Sequence, residues 1–291
     1  MWLLKRLFCL GILVSATLTS HAQLLWRVSS KNLPGDSFLF GTNHAVGVEF
    51  CDSIPGFSDA FSHVEQYFFE VTDSDATSVP PRYSAFMPNL QPLSTLFTEK
   101  EMAEILDYLT SMTGRRYSKV NYTPHGLMQF ILNYCIAKAF PDRNFQECDP
   151  MDIDLQKRAE ASSHSIHGLE TLEVQQNLLY GQSLEEQAVD LLEWVRSPDN
   201  HPDSLVQGFR AAVKAYRDQD LEKMGGFLSL EQPTQVSTVF LEDRNAKWAI
   251  KMMDAMNQSP AFFAIGAGHL LGDSGLISLL QNRGYSVSPI R

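Results

Sequence analysis

The chain has 291 residues, a net charge of −11 at neutral pH and 44% hydrophobic residues, enough to bury the core of one large domain. No basic run interrupts the surplus of acid, which argues against nucleic acid or an anionic membrane surface as partner. None of the cysteines has zinc-motif spacing, so a thiolate metal site is not expected.

Lys5 and Arg6 precede an apolar stretch over residues 7–19, and Ser20-His21-Ala22 places small residues at a cleavage position. The pattern predicts a signal peptide over 1–22, cleavage after Ala22, and export to the periplasm or beyond. The stretch is short of the roughly 20 residues that span a bilayer. No later segment reaches that length, so residues 23–291 are expected to hold a single domain without a transmembrane helix. Export permits a disulfide, and the short loop between Cys135 and Cys148 makes them the pair to expect if one forms, leaving Cys51 free.

Residues 24–29 (LLWRVS) and 37–41 read as strands joined by a turn at Asn32-Leu33-Pro34-Gly35-Asp36, an antiparallel hairpin. A short helix is predicted over 53–62 and a strand over 64–71 (VEQYFFEV), with Glu70 near its carboxyl end. The middle of the chain, roughly 98–257, reads as a helical insert. Thr98 and Glu101 make a capping box, Met102, Ile105, Leu106, Leu109 and Met112 follow on one face, and Gly114 ends the helix. Thr123-Pro124 opens a second helix to about Phe140, and Asp149-Pro150 a third. Residues 165–169 (SIHGL) are a candidate strand inside the insert, with Glu170 at its end. Helices are predicted after Thr171, after Ser183 (a second capping box with Glu186), over 203–217 and over 235–257. The chain closes with a strand in FFAIG, a helix ending at Gly284, and a strand over 285–290. The expected fold is α/β, a mixed central sheet built from the N- and C-terminal parts of the chain.

Residues 262–269 read FFAIGAGH and residues 37–44 read SFLFGTNH. Each is an apolar run without alternation, which suits a strand buried on both faces, then a Gly and a His three residues later. Gly41, Gly266 and Gly268 are expected to let the backbone turn tightly or approach a ligand closely. His44, Glu70, Glu170 and His269 each follow a candidate strand, and parallel strands deliver such residues to one crevice. Two imidazoles and a carboxylate suit Zn²⁺, Mn²⁺, Co²⁺ or Fe²⁺. A second carboxylate can then serve as general base and protonate a leaving amine. A single Gly-x-x-His is a weak pattern, and its His is more often a turn residue bonded to backbone; the same design occurring twice is the clue.

Other residues have plainer readings. His63, His125 and His201 are expected on helix or loop surfaces, and His164 and His167 packed around the candidate strand. Asp273, four residues after His269, can assist a metal but reads first as the cap of the helix after it. Arg244-Asn245 lies in an apolar-periodic helix with Trp248, where an Arg can bind a carboxylate, stabilise developing negative charge, or form a surface ion pair. Three functions stay open: a metal-dependent hydrolase, a metal-independent esterase-like hydrolase, and a binding protein holding haem, iron or a peptide.

Five stretches in order then narrow the choice: LLWRVSS with SFLFGTNHAVG, EQYFFEV, MDIDLQKRAEASSHSIHGLETLEVQQ, FLEDRNAKWA, and AIGAGHLLGDSGLISLLQNRGYSV. Together they resemble the TraB/GumN family, which includes the Tiki proteases. Asn43 stands where that family has Ile or Met, and Leu271 where it has Pro; both motif histidines are intact. The resemblance implies an α/β fold with two related halves, shared with erythromycin-esterase and ChaN-like haem-binding proteins. For the Tiki branch it implies hydrolysis of a peptide or protein with a divalent metal (Mn, Co or Zn) at His44 and His269, with Glu70 matching the acidic strand end; for most bacterial members of the family it implies no substrate. Glu170 would match the family's GLE, and Arg244 and Asn245 its RN.

Overall fold

The computed structural model of the protein describes residues 23–72, 84–144, 148–162, 164–231 and 241–291. The expected signal peptide lies outside them. Among the described residues six strands form one mixed sheet: β1 (Leu25–Ser29), β2 (Ser37–Thr42), β3 (Gln66–Phe69), β4 (Ser165–Gly168), β5 (Ala261–Gly266) and β6 (Ser286–Pro289). Their spatial order is β4-β3-β5-β2-β1-β6. β1 pairs antiparallel with β2 and β6, while β2, β5, β3 and β4 run parallel to one another. The last long apolar run of the sequence thus becomes the central strand, inserted between two strands from the beginning.

The sequence of β5 explains why it can sit there. Phe262 and Phe263 point to opposite faces, and both sides of the strand are covered. Phe262 meets Phe57 and Phe61 edge-on at 5.6 and 5.1 Å, while Phe263 stacks on Phe68 at 5.1 Å. Phe57 and Phe61 belong to α1 (Phe57–Ser62). At the edge, Lys251 Nζ donates to the Gly168 carbonyl over 2.6 Å, placing a charge where β4 has no further strand partner among the described residues.

The helices divide between two cores. α2 (Glu99–Thr113), α3 (Pro124–Ala139), α6 (Leu184–Arg196) and the first half of α7 (Pro202–Arg217) bury Ile105, Leu109, Ile131, Leu191 and Trp194 in a cluster of their own. α4 (Met151–Glu160), the end of α7, α8 (Leu221–Glu231), α9 (Asp243–Met256) and α10 (Leu276–Gln281) add residues to the core around the sheet. The predicted insert therefore contributes both to a separate helical cluster and to the walls of the sheet. Both capping boxes form as read, and α5 (Leu172–Tyr180) starts at Thr171. α8 was not expected, and of the 235–257 helix only Asp243–Met256 is seen, residues 232–240 lying outside the described set.

Some local expectations fail. Cys135 and Cys148 are both free; Cys135 is buried, its thiol pushed up to about 11 by burial, and Cys148 is exposed. Cys51 is free, as expected. His125 is not a surface residue but bonds the Leu179 carbonyl and the Asp190 carboxylate, each at 2.8 Å. Asp273 does not cap α10, whose N-cap is Gly275 with no side-chain bond. No helix among the described residues is long and apolar enough to cross a membrane.

One buried bond ties the sheet to the helices. Tyr216 Oη donates to the Gly41 carbonyl over 2.7 Å, and its ring is fully buried. Tyr216→Phe should cost about 1–3 kcal/mol, because it leaves a buried acceptor unpaired; urea unfolding measures it.

Candidate functional site

Four neighbouring parallel strands end on one side of the sheet, and the residues after them stand in the same order. Glu170 follows β4, Glu70 follows β3, His269 follows β5 through the turn Ala267–Leu270, and His44 follows β2. This is the crevice outside the carboxyl ends of an open α/β sheet. α9 lies against it and contributes Arg244, Asn245 and Trp248, all buried.

Gly41 and Gly266 act through space rather than through an unusual backbone. Gly41, Gly266 and Gly268 have no positive φ. A Cβ on Gly41 would meet the Ala267 Cβ at 2.9 Å and Leu270 Cδ1 at 3.0 Å, so β2 can approach the His269 turn only without a side chain there. Gly41→Ala should destabilise the fold by about 1–3 kcal/mol, read as a lower urea midpoint. A Cβ on Gly266 would stand 3.0 Å from Glu70 Oε1, the atom to which the Gly266 N–H donates at 2.9 Å.

Hydrogen-bond logic fixes the state of His269. Asn245 Nδ2 donates to the Ser274 and His269 carbonyls at 2.9 and 3.3 Å, so its Oδ1 faces His269 Nδ1 as an acceptor at 2.6 Å. His269 Nδ1 therefore carries the proton and Nε2 presents a lone pair. Arg244 Nη1, which can only donate, lies 3.2 Å from that Nε2. His269 is 4% exposed, and burial, reinforced by the Arg244 charge against the opposing Glu70, brings its pKa down to about 4. The imidazole is neutral at ordinary pH.

Arg244 joins the two glutamates. Its Nε and Nη2 donate to Glu170 Oε2 and Oε1 at 3.1 and 2.7 Å, and Nη2 also reaches Glu70 Oε2 at 2.7 Å. The guanidinium lies 4.5 Å from the Trp248 ring centroid. Gln175 Nε2 adds a 3.3 Å bond to Glu70 Oε2. Burial opposes the charge of Glu70, but its contacts outweigh this and its pKa is lowered. His269, Arg244 and the Gly266 amide are the groups that lower it, and Arg244 and that amide bond the carboxylate directly. The surface ion pair foreseen for Arg244 is instead a buried one.

His44 is placed differently. Its side chain is 71% exposed, and Nε2 lies 3.2 Å from Asp152 Oδ1 on α4, a contact that raises its pKa. Glu70 lies close enough to add to that rise. The two ends of the chain thus meet at one crevice, with one imidazole buried and the other at the rim. Asp152 was not singled out in the sequence, although it lies just after Pro150 where α4 begins.

The donors at the bottom of the crevice suit a divalent metal ion in chemistry: a neutral imidazole whose Nε2 lone pair faces Arg244, and an ionised carboxylate, Nε2 to Oε1 3.8 Å. Asn245 holds the imidazole as a supporting residue holds a metal-ligating histidine. Glu70 and Glu170 together outweigh Arg244 by one negative charge, and its guanidinium shows that the place accepts a cation. His44 does not complete the expected trio: among the described residues no three Asp, Glu, His or Cys side chains are gathered for a metal. The residues thus fit the ion with two donors, and His44 is turned to Asp152.

A family model described as the TraB/PrgY/gumN family matches residues 24–289. The chain is also similar to "Metalloprotease TIKI2" of Danio rerio, 22% identical over 311 residues, covering 90% of this chain. It spans 60% of that relative's length. No solved structure matches.

Proposed function

Since the chain belongs to the TraB/PrgY/gumN family, we propose that it is a metal-assisted hydrolase that cleaves peptide bonds after export. The reading is carried by one observation: a neutral His269, its Nδ1–H secured by Asn245, presents Nε2 to the ionised Glu70 carboxylate at 3.8 Å. The similarity to a protein named a metalloprotease supports it. His269 and Glu70 would hold the ion, Mn²⁺, Co²⁺ or Zn²⁺, with His44 at the rim. When bound, such an ion lowers the pKa of a coordinated water and polarises a carbonyl.

The chain's own residues do the rest. Glu170 grips Arg244 with two bonds and fixes the guanidinium beside the donors. On this reading Arg244 would lend its positive charge to negative charge developing on the substrate oxygen. Beyond it opens a hollow of about 510 Å³, lined by Leu169, Val174, Leu178 and Trp248, with room for the side chain next to the scissile bond. Purified protein is assayed for bound metal and against a broad peptide library, with and without chelator. Metal retained through His269 and chelator-sensitive cleavage are expected; a protein that cleaves nothing and holds no ion would overturn the reading.

A second reading is favoured by the His44–Asp152 pair at 3.2 Å. An exposed imidazole steadied by a carboxylate can take a proton from water without a metal, with Arg244 supplying the positive charge. Cleavage that survives chelation but is lost in Asp152→Asn selects this reading over the first.

A further inference from the structure

Arg244 has a place that the hydrolytic scheme alone does not explain. Two of its nitrogens, Nε and Nη2, are committed to carboxylates, at 3.1 and 2.7 Å from Glu170 and 2.7 Å from Glu70. The third, Nη1, rests 3.2 Å from His269 Nε2, the one lone pair of that ring free to coordinate. A single nitrogen lone pair serves one partner: it accepts from an N–H or it binds a cation. A divalent ion close to the guanidinium would also be repelled by it, strongly so in a buried place.

From this we propose that Arg244 competes with the metal ion for His269, and so sets how tightly the site holds a divalent cation. This rests on the metal-assisted reading above. Glu170 is what makes the exchange possible, since its two-bond grip on Nε and Nη2 retains the guanidinium when the Nη1 contact is given up. The contact exchanged is the one to a neutral ring, while the two-bond grip of the Glu170 carboxylate is kept. The excess negative charge of the two glutamates over Arg244 is what lets a cation enter at all.

The test titrates metal-stripped wild type, Arg244→Gln and His269→Ala with Co²⁺, following the visible absorption of the bound ion. Arg244→Gln should bind on the order of tenfold more tightly than wild type, and His269→Ala should lose binding. Equal or weaker binding by Arg244→Gln, with wild-type binding still dependent on His269, overturns the competition and leaves the metal reading standing. Absence of Co²⁺ binding by the wild type overturns both. Because Arg244→Gln leaves two buried glutamates without their counter-charge, a wild-type measurement stands beside it. In ¹⁵N-arginine spectra the Arg244 guanidinium signal should shift in step with Zn²⁺ binding. A signal unmoved when the site is full overturns the proposal.

Discussion

On the proposed peptidase reading, replacing His269 by alanine lowers kcat/KM by about a thousandfold or more, while the protein still folds. Among the described residues the imidazole is the only side chain at the bottom of the crevice that is neutral, carries a lone pair and is held in one tautomer, by the 2.6 Å bond to Asn245. Glu70 alone, bonded to Arg244, Gln175 and the Gly266 amide, cannot replace it. Removing the ring leaves Asn245 Oδ1 without its donor, a cost of about 1–3 kcal/mol, which is tolerable for a domain with two cores. Activity is compared at equal folded concentration, checked by circular dichroism. A variant within tenfold of wild type would show that the chemistry lies elsewhere, most directly at His44 and Asp152.

The largest effect on stability should come from Arg244→Met. Arg244 is 9% exposed and is the counter-charge of both Glu70 and Glu170. Methionine fills much of the volume against Trp248 but leaves two carboxylates together without their counter-charge, Glu170 largely and Glu70 partly shielded from water. Breaking a buried ion pair from one side costs about 3–5 kcal/mol. The double variant Arg244→Met with Glu170→Gln should recover part of that loss, since it removes one of the two stranded charges. Denaturant unfolding of both proteins reads the difference. If the single variant unfolds within about 1 kcal/mol of wild type, the three side chains are not the buried network described here.

Much of the local structure was legible because it depends on residues close in sequence. Thr98 with Glu101, and Ser183 with Glu186, cap their helices over three residues, so the pattern and the bond are the same object. Thr123-Pro124 and Gly114 act within one turn. The doubly apolar FFAIG run also declared a strand covered on both faces, and its all-buried pattern in the centre of the sheet follows. Where the signal was weaker the reading slipped: α8 has little amphipathic pattern to announce it, and Asp273, two residues from the Gly275 N-cap, is not the residue in place.

By itself, then, the sequence determined which residues would stand at strand ends: His44, Glu70, Glu170 and His269, each delivered by a local strand pattern. The order of the strands was decided only in three dimensions, when β5 entered between β2 and β3 and set Glu70 beside His269. Tertiary packing also decided what each residue became. His44 and His269 have the same local motif, yet one is exposed against Asp152 on α4 and the other buried beneath Arg244 and Asn245 on α9. Protonation, burial and charge balance depend on groups brought from far along the chain, and a local pattern of residues contains no record of them.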